Sequence, residues 1–351
     1  MTDGMYRIGI VGAASLAGKE LGDELQESLL AASDFVLLDD EDAAGQVTAA
    51  GDEVAFVQRI EAASFEKMDF VFFTGDAEIA KKHWQQARKS GASIVDLTYG
   101  LEGERDVLVR SPLATGTMVG GTAFDGTVPD LKTPAIVAGH PAAVMLALVA
   151  GRLQAKLPLT SVVSTVMEPA SEHGRAAMDE LHQQTVNLLS FQDLPKEQYD
   201  AQVSFNLLPS LGEAAKVRLH ETEERIRRHY GVLSGGKLPE LALQLVQAPV
   251  FHGYVASVLV ELVQPATVEQ VEKILAGEPV DIVAGESDAP SNLSAAGQDE
   301  IMVRVRREGG AGERSTRFWL WLAADNLKLA AVNAISCALE LRRLRPSGKV
   351  Q

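Results

Sequence analysis

Residues 7–30 of the chain, RIGIVGAASLAGKELGDELQESLL, change their hydrophobic period in the middle. Ile8 and Ile10 belong to a short apolar run of the kind found in buried parallel strands, and the run stops at Gly12. From Leu16 onward the apolar residues follow a helical period. The stretch therefore predicts a strand, a tight turn and a helix.

The turn in this stretch has the properties of a phosphate-binding loop. A glycine at its start permits a sharp bend, a second glycine lets the helix approach the strand, and the helix N-terminus offers free N–H groups to a phosphate. We predict a Rossmann-like unit in which Gly12, Ala14, Ser15, Leu16 and Gly18 contact a nucleotide. Ser15 stands where a third glycine is expected, so the motif by itself is of moderate specificity.

The composition is that of a globular protein with two domains. The chain has 351 residues, of which 46% are hydrophobic and 23% are charged, and its length exceeds the usual size of one domain. Its formal net charge is −16. Such a charge repels phosphate backbones and anionic lipids, so neither a nucleic acid nor a membrane is an expected partner.

The single cysteine limits the disulfides and metal sites that the chain can form, and the apolar runs bear on the protein's location in the cell. Cys337 is the only cysteine of the chain, so no disulfide framework and no thiolate metal site is expected, and we predict no metal. The N-terminus shows no basic leader. The longest apolar run, at 135–151, is interrupted by His140 and Pro141, and we therefore expect a cytoplasmic protein.

Strands and helices alternate in the first part of the chain. We predict strands at 35–38, 54–60, 70–74 and 93–96 and a helix at 77–90. This alternation indicates a parallel sheet with right-handed crossovers. Ligands bind at the carboxyl ends of such strands, where Asp39, Thr74 and Gly75 lie, and we add these three residues to the predicted nucleotide site.

From about residue 135 onward, the predicted strands and helices no longer alternate regularly. We predict strands at 135–138, 160–168, 246–250, 257–262, 300–307 and 315–322. We predict helices at 142–154, 174–189, 213–230 and 325–343. Residues 284–298, which are rich in Ser, Ala, Gly, Asp and Pro, are expected to form a mobile loop.

These elements predict an α/β fold with two domains. The first is a Rossmann-like parallel-sheet domain at 1–135, completed by the C-terminal helix at 325–345, whose apolar face needs a partner surface. The second is an α+β domain of the dimerisation or substrate type at 136–324. Its strands at 257–262 and 318–322 are apolar at consecutive positions, so both of their faces need cover.

Several stretches, in order along nearly the whole chain, resemble the aspartate-semialdehyde dehydrogenase family. They are IGIVGAASLAGKEL (8–21), VFFTGDAEIAKKHWQQARKSGASIVDLT (71–98), STVMEPASEHGRAAMDELHQQT (164–185), FNLLPSLG (205–212), APVFHGYVASVLVEL (248–262) and LAADNLKLAAVNA (322–334). The resemblance implies an NADP-dependent oxidoreductase of amino-acid biosynthesis. It also implies a homodimer that pairs through the large sheet of the second domain.

The sequence departs from this family where the catalytic residues are expected. The family's nucleophilic cysteine sits in an Asn-Pro-Asn-Cys-Ser-Thr turn, but the matching stretch AGHPAAV at 138–144 places Ala142 there and has neither a thiol nor a hydroxyl. Tyr254 stands at the position of the base histidine, and Gln247 replaces the arginine that would hold the substrate carboxylate. We therefore assign no catalytic residue, and we expect Cys337 to be a buried hydrophobe.

The sequence also differs from the family at the positions that bind the cofactor. NADP-binding members carry Ser-x-Arg-Ser-Ala-Gly after the second strand, whereas residues 40–45 read DEDAAG, with Asp42 in place of the arginine. A carboxylate repels a 2′-phosphate, so NADP is disfavoured, while Asp39 is suited to the ribose of NAD. A solvated acidic loop that binds no nucleotide is an equal alternative. Asn326 matches a nicotinamide-side contact of the family.

Three functions are compatible with these residues. The first is a non-catalytic paralogue with a binding or regulatory role, whose partner is a small molecule or a protein. The second is an oxidoreductase that binds NAD(P) but uses Tyr254, His140 or His252 for a different chemistry. The third is the family reaction by an unexpected route.

Overall fold

The computed structural model describes residues 6–31, 33–41, 43, 45–50, 53–115, 128–130, 132–285, 287–309 and 312–344. Asp42, on which part of the cofactor prediction rests, lies outside the described residues. The described residues divide into two compact units. The first unit contains residues 6–112, 128–139 and 330–344, and the second contains residues 113–115 and 140–329.

The elements up to residue 138 alternate between strand and helix over much of this segment. In chain order they are β1 (Arg7–Val11), α1 (Leu16–Glu27), β2 (Asp34–Asp39), β3 (Val47–Ala50), β4 (Glu53–Phe56), β5 (Gln58–Arg59), β6 (Phe70–Phe73), α2 (Ala77–Lys89), β7 (Ser93–Asp96), β8 (Leu108–Arg110), α3 (Pro112–Thr115) and β9 (Ile136–Ala138). A short 3-10 helix, Ala62–Phe65, precedes β6.

The remaining elements are mixed in order and type. They are α4 (Pro141–Gln154), β10 (Leu159–Glu168), α5 (Gly174–Leu189), α6 (Leu219–Ser234), β11 (Leu241–Gln247), β12 (Tyr254–Ala266), α7 (Val268–Leu275), β13 (Val280–Ile282), α8 (Asn292–Ala295), β14 (Ile301–Arg307), β15 (Ser315–Ala324) and α9 (Asn326–Leu344). A 3-10 helix, Ala170–His173, connects β10 to α5.

The first unit is built on a parallel sheet. Among its described residues the strand order is β5-β2-β1-β6-β7-β9-β8, and every pairing in this seven-stranded sheet is parallel. The apolar residues of β1 and β6 are buried on one face against α1 and against Ala331, Ala334, Ile335 and Ala338 of α9. Helix α2 covers the other face. The Rossmann-like architecture predicted from residues 7–30 is confirmed.

The second unit is built on a mixed sheet. In the described part of the chain its six strands follow the order β11-β10-β12-β15-β14-β13, with parallel pairs at the two ends and antiparallel pairs between them. The buried face packs against α4, α6 and α7. Helix α4 is buried along nearly its whole length, so it is the central helix of this α+β unit.

Some predicted elements differ from those observed. The single strand predicted at 54–60 is two strands, because β4 pairs with β3 in a separate hairpin while β5 pairs with β2 at the edge of the main sheet. The strand predicted at 246–250 lies earlier, at β11. The loop predicted at 284–298 contains helix α8, whose Ala295 packs on Val255 and Ala323.

Candidate functional site

The loops after β1 and β6 lie in close contact. Gly12 has a φ of +84°, and a Cβ atom there would stand 2.4 Å from the backbone nitrogen of Gly75. A Cβ on Gly18 would stand 2.3 Å from the carbonyl oxygen of Gly12. Glycine is therefore required at positions 12 and 18 by the close approach of backbone to backbone.

Ser15 and Thr74 hold these two loops together. The Ser15 hydroxyl accepts a hydrogen bond from the N–H of Gly18 at 3.0 Å and donates to the carbonyl of Thr74 at 3.1 Å. The Thr74 hydroxyl in turn lies 3.0 Å from the carbonyl oxygen of Val11 and 3.1 Å from that of Gly12. The N–H of Leu16 is the first of α1 and has no carbonyl of its own helix to bond, so it is available to an anion.

Asp39 lies at the carboxyl end of β2, beside the same loop. Its Oδ2 accepts a hydrogen bond from the N–H of Ala14 at 2.9 Å, and its Oδ1 accepts one from the N–H of Asp40 at 3.0 Å. A carboxylate has about four acceptor positions, so two bonds leave capacity for ribose hydroxyls. Helix N–H groups that donate to phosphate and a carboxylate that accepts from ribose hydroxyls are the features of a dinucleotide site, and these residues fit such a ligand.

Asn326 belongs to the second unit, whereas the other predicted nucleotide contacts belong to the first. Its side-chain oxygen accepts hydrogen bonds from the Ser171 hydroxyl at 3.0 Å and from the N–H of Gly253 at 3.1 Å. Its amide nitrogen lies 3.4 Å from Oε2 of Glu172. Asn326 therefore fastens the loop before α5 to the loop before β12.

Ala142 is the second residue of α4 and is completely buried. His140 caps the helix, because its Nδ1 accepts a hydrogen bond from the N–H of Ala142 at 3.3 Å. The backbone N–H of His140 donates to Nδ1 of His229 at 2.9 Å, and both histidines are completely buried. Imidazoles therefore surround the helix start where the resemblance places a thiol.

Glu172 lies against His140. Nε2 of His140 is 3.1 Å from Oε1 of Glu172. Burial alone would raise the pKa of Glu172, but its electrostatic interaction and hydrogen bond with His140, the charge of His173 and a hydrogen bond with Tyr254 lower the pKa to about 2. The ring centroid of Tyr254 is 6.0 Å from that of His140. Glu172 is therefore ionised throughout the neutral range.

A second histidine–carboxylate pair follows in the same segment. Nε2 of His173 is 2.8 Å from Oε2 of Glu168, which is completely buried. Burial opposes a charge on His173, but the charge and hydrogen bond of Glu168 raise the pKa of His173 above its ordinary value. We call His140, Glu168, Glu172, His173 and Tyr254 the buried His/Glu cluster.

Gln247 is also buried beside this cluster. Its amide nitrogen donates to the carbonyls of Glu168 and Ala248, both at 3.1 Å, and the residue is 1% exposed. Residues 168 and 247 are paired neighbours on β10 and β11. Gln247 therefore ties two strands together.

Cys337 lies in the core of the first unit. The residue is completely buried, and its Sγ is 3.6 Å from the carbonyl oxygen of Arg110. Burial, aided by the charge of Glu340, raises the pKa of the Cys337 thiol. Arg110 itself makes a two-point ion pair with Glu340 at 2.8 and 2.6 Å.

Three other histidines of the second unit do not join the cluster. His182 is exposed on α5, and His220 lies on the exposed side of α6, 3.2 Å from Glu224. His252 is partly exposed.

The described residues show neither a metal site nor a membrane-spanning helix. No group of three or more His, Cys, Asp or Glu side chains in the described ranges is arranged to hold a metal ion. Among the helices of that same part of the chain, none is both long and apolar enough to cross a membrane.

Family models match most of the chain. Residues 7–113 match the NAD binding domain of semialdehyde dehydrogenases, and residues 151–329 match their dimerisation domain. The loop at Gly12 lies in the first match, and most of the buried His/Glu cluster lies in the second.

Individual relatives agree with these models. The chain is 29% identical over 330 residues to the USG-1 protein homolog of Pseudomonas aeruginosa, covering 93% of this chain and 95% of that protein. It is 26% identical over 340 residues to the aspartate-semialdehyde dehydrogenase of Rickettsia bellii, covering 96% and 97%. A solved structure of a probable aspartate-semialdehyde dehydrogenase from Pseudomonas aeruginosa superposes with a TM-score of 0.82 at 27% identity, covering 97% and 99%. The chain therefore belongs to the semialdehyde dehydrogenase family.

Proposed function

We propose that this protein binds a nicotinamide nucleotide in its first unit but does not carry out the thiol-dependent oxidation of a semialdehyde. Its role is then to bind or regulate, with a small molecule or a protein as the partner of the second unit. The observation that carries the proposal is the position of Cys337, the chain's only thiol, in the core of the first unit. A nucleophilic cysteine must be exposed to its substrate and readily ionised, and Cys337 is neither.

The residues around Ala142 support the same conclusion. Ala142 offers no nucleophile, and the space before it is occupied by His140 and Glu172. Gln247 carries no charge that could neutralise a substrate carboxylate, and its amide nitrogen already donates to two backbone carbonyls. Without a nucleophile the covalent intermediate that divides one difficult step into two cannot form.

A direct test combines mass spectrometry with thiol labelling. Incubation of the native protein with aspartate semialdehyde and NADP should leave its intact mass unchanged, because no acyl adduct forms. Iodoacetamide should modify Cys337 only after unfolding in denaturant. A covalent acyl adduct on the native protein, at any residue, would overturn the proposal.

The nucleotide is better matched to NAD than to NADP. Asp39 sits beside the loop that would receive the pyrophosphate, and a carboxylate there repels a 2′-phosphate. Calorimetric titration should give tighter binding of NADH than of NADPH. Asp39→Asn should reduce the difference between the NADH and NADPH affinities, while Glu27→Gln, which removes an exposed charge at the far end of α1, should leave that difference unchanged. Micromolar binding of NADPH to the unaltered protein would contradict this preference.

A second candidate function is a redox reaction without a thiol. The contact of Glu172 with His140 and the position of the Tyr254 ring, whose centroid is 6.0 Å from that of His140, favour it, since together these groups could exchange a proton with an alcohol or carbonyl substrate. Consumption of NADH with a panel of aldehydes and ketones would support this function if Tyr254→Phe abolished it. Consumption that survives Tyr254→Phe would exclude this use of Tyr254.

The homodimer is proposed to form through the second unit. The sheet face opposite the packed helices carries four residues that are neighbours in register across four strands. They are Val163, Leu259, Trp319 and Arg306. These four side chains, which we call the outer face, are partly or largely exposed. We expect a twofold dimer burying more than about 1,000 Å². A monomeric mass by light scattering at micromolar concentration would exclude it.

A further inference from the structure

Three buried side-chain oxygens of the second unit bond to no atom of the part of the chain that the structure describes. They are Oε1 of Glu168, Oε1 of Gln247 and the phenol oxygen of Tyr199. Glu168 and Tyr199 are completely buried, and Gln247 is 1% exposed. Buried polar groups in native proteins nearly always have a hydrogen-bond partner, so these three oxygens point to a partner from outside the chain.

Glu168 and Gln247 lie side by side on the buried face of the six-stranded sheet. They are partners in the parallel register of β10 and β11, and such strands lie about 4.8 Å apart. Val166 and Leu245, two positions earlier on the same strands, are buried in the core that faces the helices. Because side chains alternate along a strand, Glu168 and Gln247 are on that same face.

The amide of Gln247 has a fixed orientation. Its nitrogen donates to the backbone carbonyls of Glu168 and Ala248, both at 3.1 Å. The reverse orientation would place the amide oxygen against those two carbonyls. The oxygen of Gln247 is therefore directed away from them, and it can accept a hydrogen bond.

The phenol of Tyr199 has carboxylates as neighbours. Burial, followed by the charges of Glu168 and Glu180, raises the pKa of this phenol. Its oxygen is therefore within electrostatic range of both carboxylates. Glu180 is itself buried and accepts a hydrogen bond from the backbone N–H of Tyr199 at 3.2 Å. A neutral phenol can accept as well as donate a hydrogen bond, and these carboxylates attract a positive charge.

His173 occupies only one oxygen of Glu168. Its Nε2 is 2.8 Å from Oε2 of Glu168, which leaves the acceptor positions of Oε1 for another donor. The side chain of His173 is 15% exposed and that of Glu172 is 10% exposed. The buried His/Glu cluster thus borders solvent at the 3-10 helix Ala170–His173.

We propose that the small-molecule partner of the second unit carries a primary ammonium group that donates hydrogen bonds to Glu168, Gln247 and Tyr199. This inference rests on the proposed binding role of the second unit. A primary ammonium has three N–H donors and no acceptor, which matches three acceptors without a protein partner. The carboxylate of Glu168 compensates its charge. A phosphate or carboxylate at the same place would be repelled by Glu168.

The test uses methylammonium chloride, mixed with tetramethylammonium chloride so that the total salt stays constant. Tetramethylammonium carries the same charge but has no N–H donor. The unfolding temperature should rise as methylammonium replaces tetramethylammonium, because a ligand that binds only the folded state stabilises it. The concentration dependence of this rise gives a dissociation constant. Each protein variant is compared with itself in tetramethylammonium chloride alone.

Two variants remove parts of the site, and one is a matched control. Tyr199→Phe removes one acceptor and should raise the dissociation constant at least about tenfold. Glu168→Gln removes the charge and should abolish the rise in unfolding temperature. Tyr230→Phe should leave the dissociation constant unchanged. The phenol oxygen of Tyr230 is also buried without a described partner, but burial alone raises the pKa of that phenol, without a contribution from a carboxylate.

Three results would overturn the ammonium site. The first is an unfolding temperature of the unaltered protein that is the same in both chlorides. The second is a dissociation constant of Tyr199→Phe within twofold of the unaltered value. The third is an equal rise with potassium chloride, which supplies charge but no N–H donor. An unchanged protein mass after incubation with aspartate semialdehyde would leave the proposed function intact in each case. A covalent acyl adduct would overturn that function whatever the salt titration shows.

Discussion

Glu172 makes the stability of the folded protein depend on pH. Its pKa falls from the ordinary value of about 4.5 to about 2 on folding, and a shift of that size corresponds to about 3 kcal/mol. A depressed pKa stabilises the folded protein above the unfolded value. This contribution is lost as the pH falls from about 4.5 to about 2.

The variant Glu172→Gln should therefore lower the free energy of unfolding by about 3 kcal/mol at pH 7. The difference in the free energy of unfolding between the variant and the unaltered protein should decrease as the pH falls below about 4.5. Urea denaturation at a series of pH values measures both effects, with Glu104→Gln at an exposed position as the control. If the free energies of unfolding of the variant and the unaltered protein differ by the same amount at pH 7 and pH 3, the charge on Glu172 is not the source of the difference.

The turn between β1 and α1 requires glycine at position 12, whereas α1 itself does not require glycine at position 22. Gly12→Ala forces a Cβ to within 2.4 Å of the Gly75 backbone at a φ of +84°, so we expect a loss of about 3 kcal/mol of stability and of nucleotide binding. Gly22→Ala in α1 is the matched control. A Cβ there meets nothing within 4 Å, and the change should stabilise the helix by about 1 kcal/mol. Thermal unfolding and calorimetric titration of both variants measure these effects.

Local signals explain which elements the sequence could predict. The first strand, turn and helix were predictable, since the apolar period changes at Gly12 and Ser15 caps α1. Helix α7 was missed although Thr267 and Gln270 form a capping box at its start. That four-residue signature was present in the sequence.

Other elements depended on contacts distant in sequence. The helix predicted from residue 213 begins only at α6, because the N–H groups of Lys216 and Val217 bond the carbonyl of Gln198 at 2.9 and 3.0 Å. The strand predicted at 246–250 ends at Gln247, two residues before Pro249, which has no N–H to donate to a sheet. The bonds to Gln198 left no mark in the local pattern, whereas Pro249 was a local signal that the strand prediction overlooked.

The candidate site was only partly predictable for the same reason. The nucleotide loop is contiguous in sequence, so its members could be selected together. The buried His/Glu cluster combines residue 140, the segment 168–173 and residue 254, which the sheet and α4 bring together. Glu172 and His173 carry no recognisable motif in the sequence, and the fold brings them to His140 and Glu168.

The separation of the two hydrophobic cores gives a prediction for the whole molecule. Ala334 of α9 is completely buried in the core that contains Ile8 and Phe72, whereas α4 and the six-stranded sheet form a different core. Ala334→Asp places an unpaired carboxylate in the first core only. Calorimetry should show that NADH binding is lost, and light scattering should show that the dimer persists.

Two results would contradict this separation. Loss of the dimer together with nucleotide binding would mean that the units do not fold independently. Unchanged nucleotide binding would mean that α9 is not needed by the first unit, and the proposed domain division, with the C-terminal helix completing residues 1–135, would then be wrong.

A turnover assay shows whether the protein carries out the family's thiol-dependent oxidation. The assay follows absorbance at 340 nm with aspartate semialdehyde, phosphate and either NAD or NADP, using protein from a host that lacks its own enzyme. We predict no phosphate-dependent reduction of either nucleotide, and no rescue by Ala142→Cys alone, since the missing nucleophile, base and carboxylate partner act as one unit. Phosphate-dependent reduction of NAD or NADP by the unaltered protein would contradict the account, whether or not it survives Cys337→Ser.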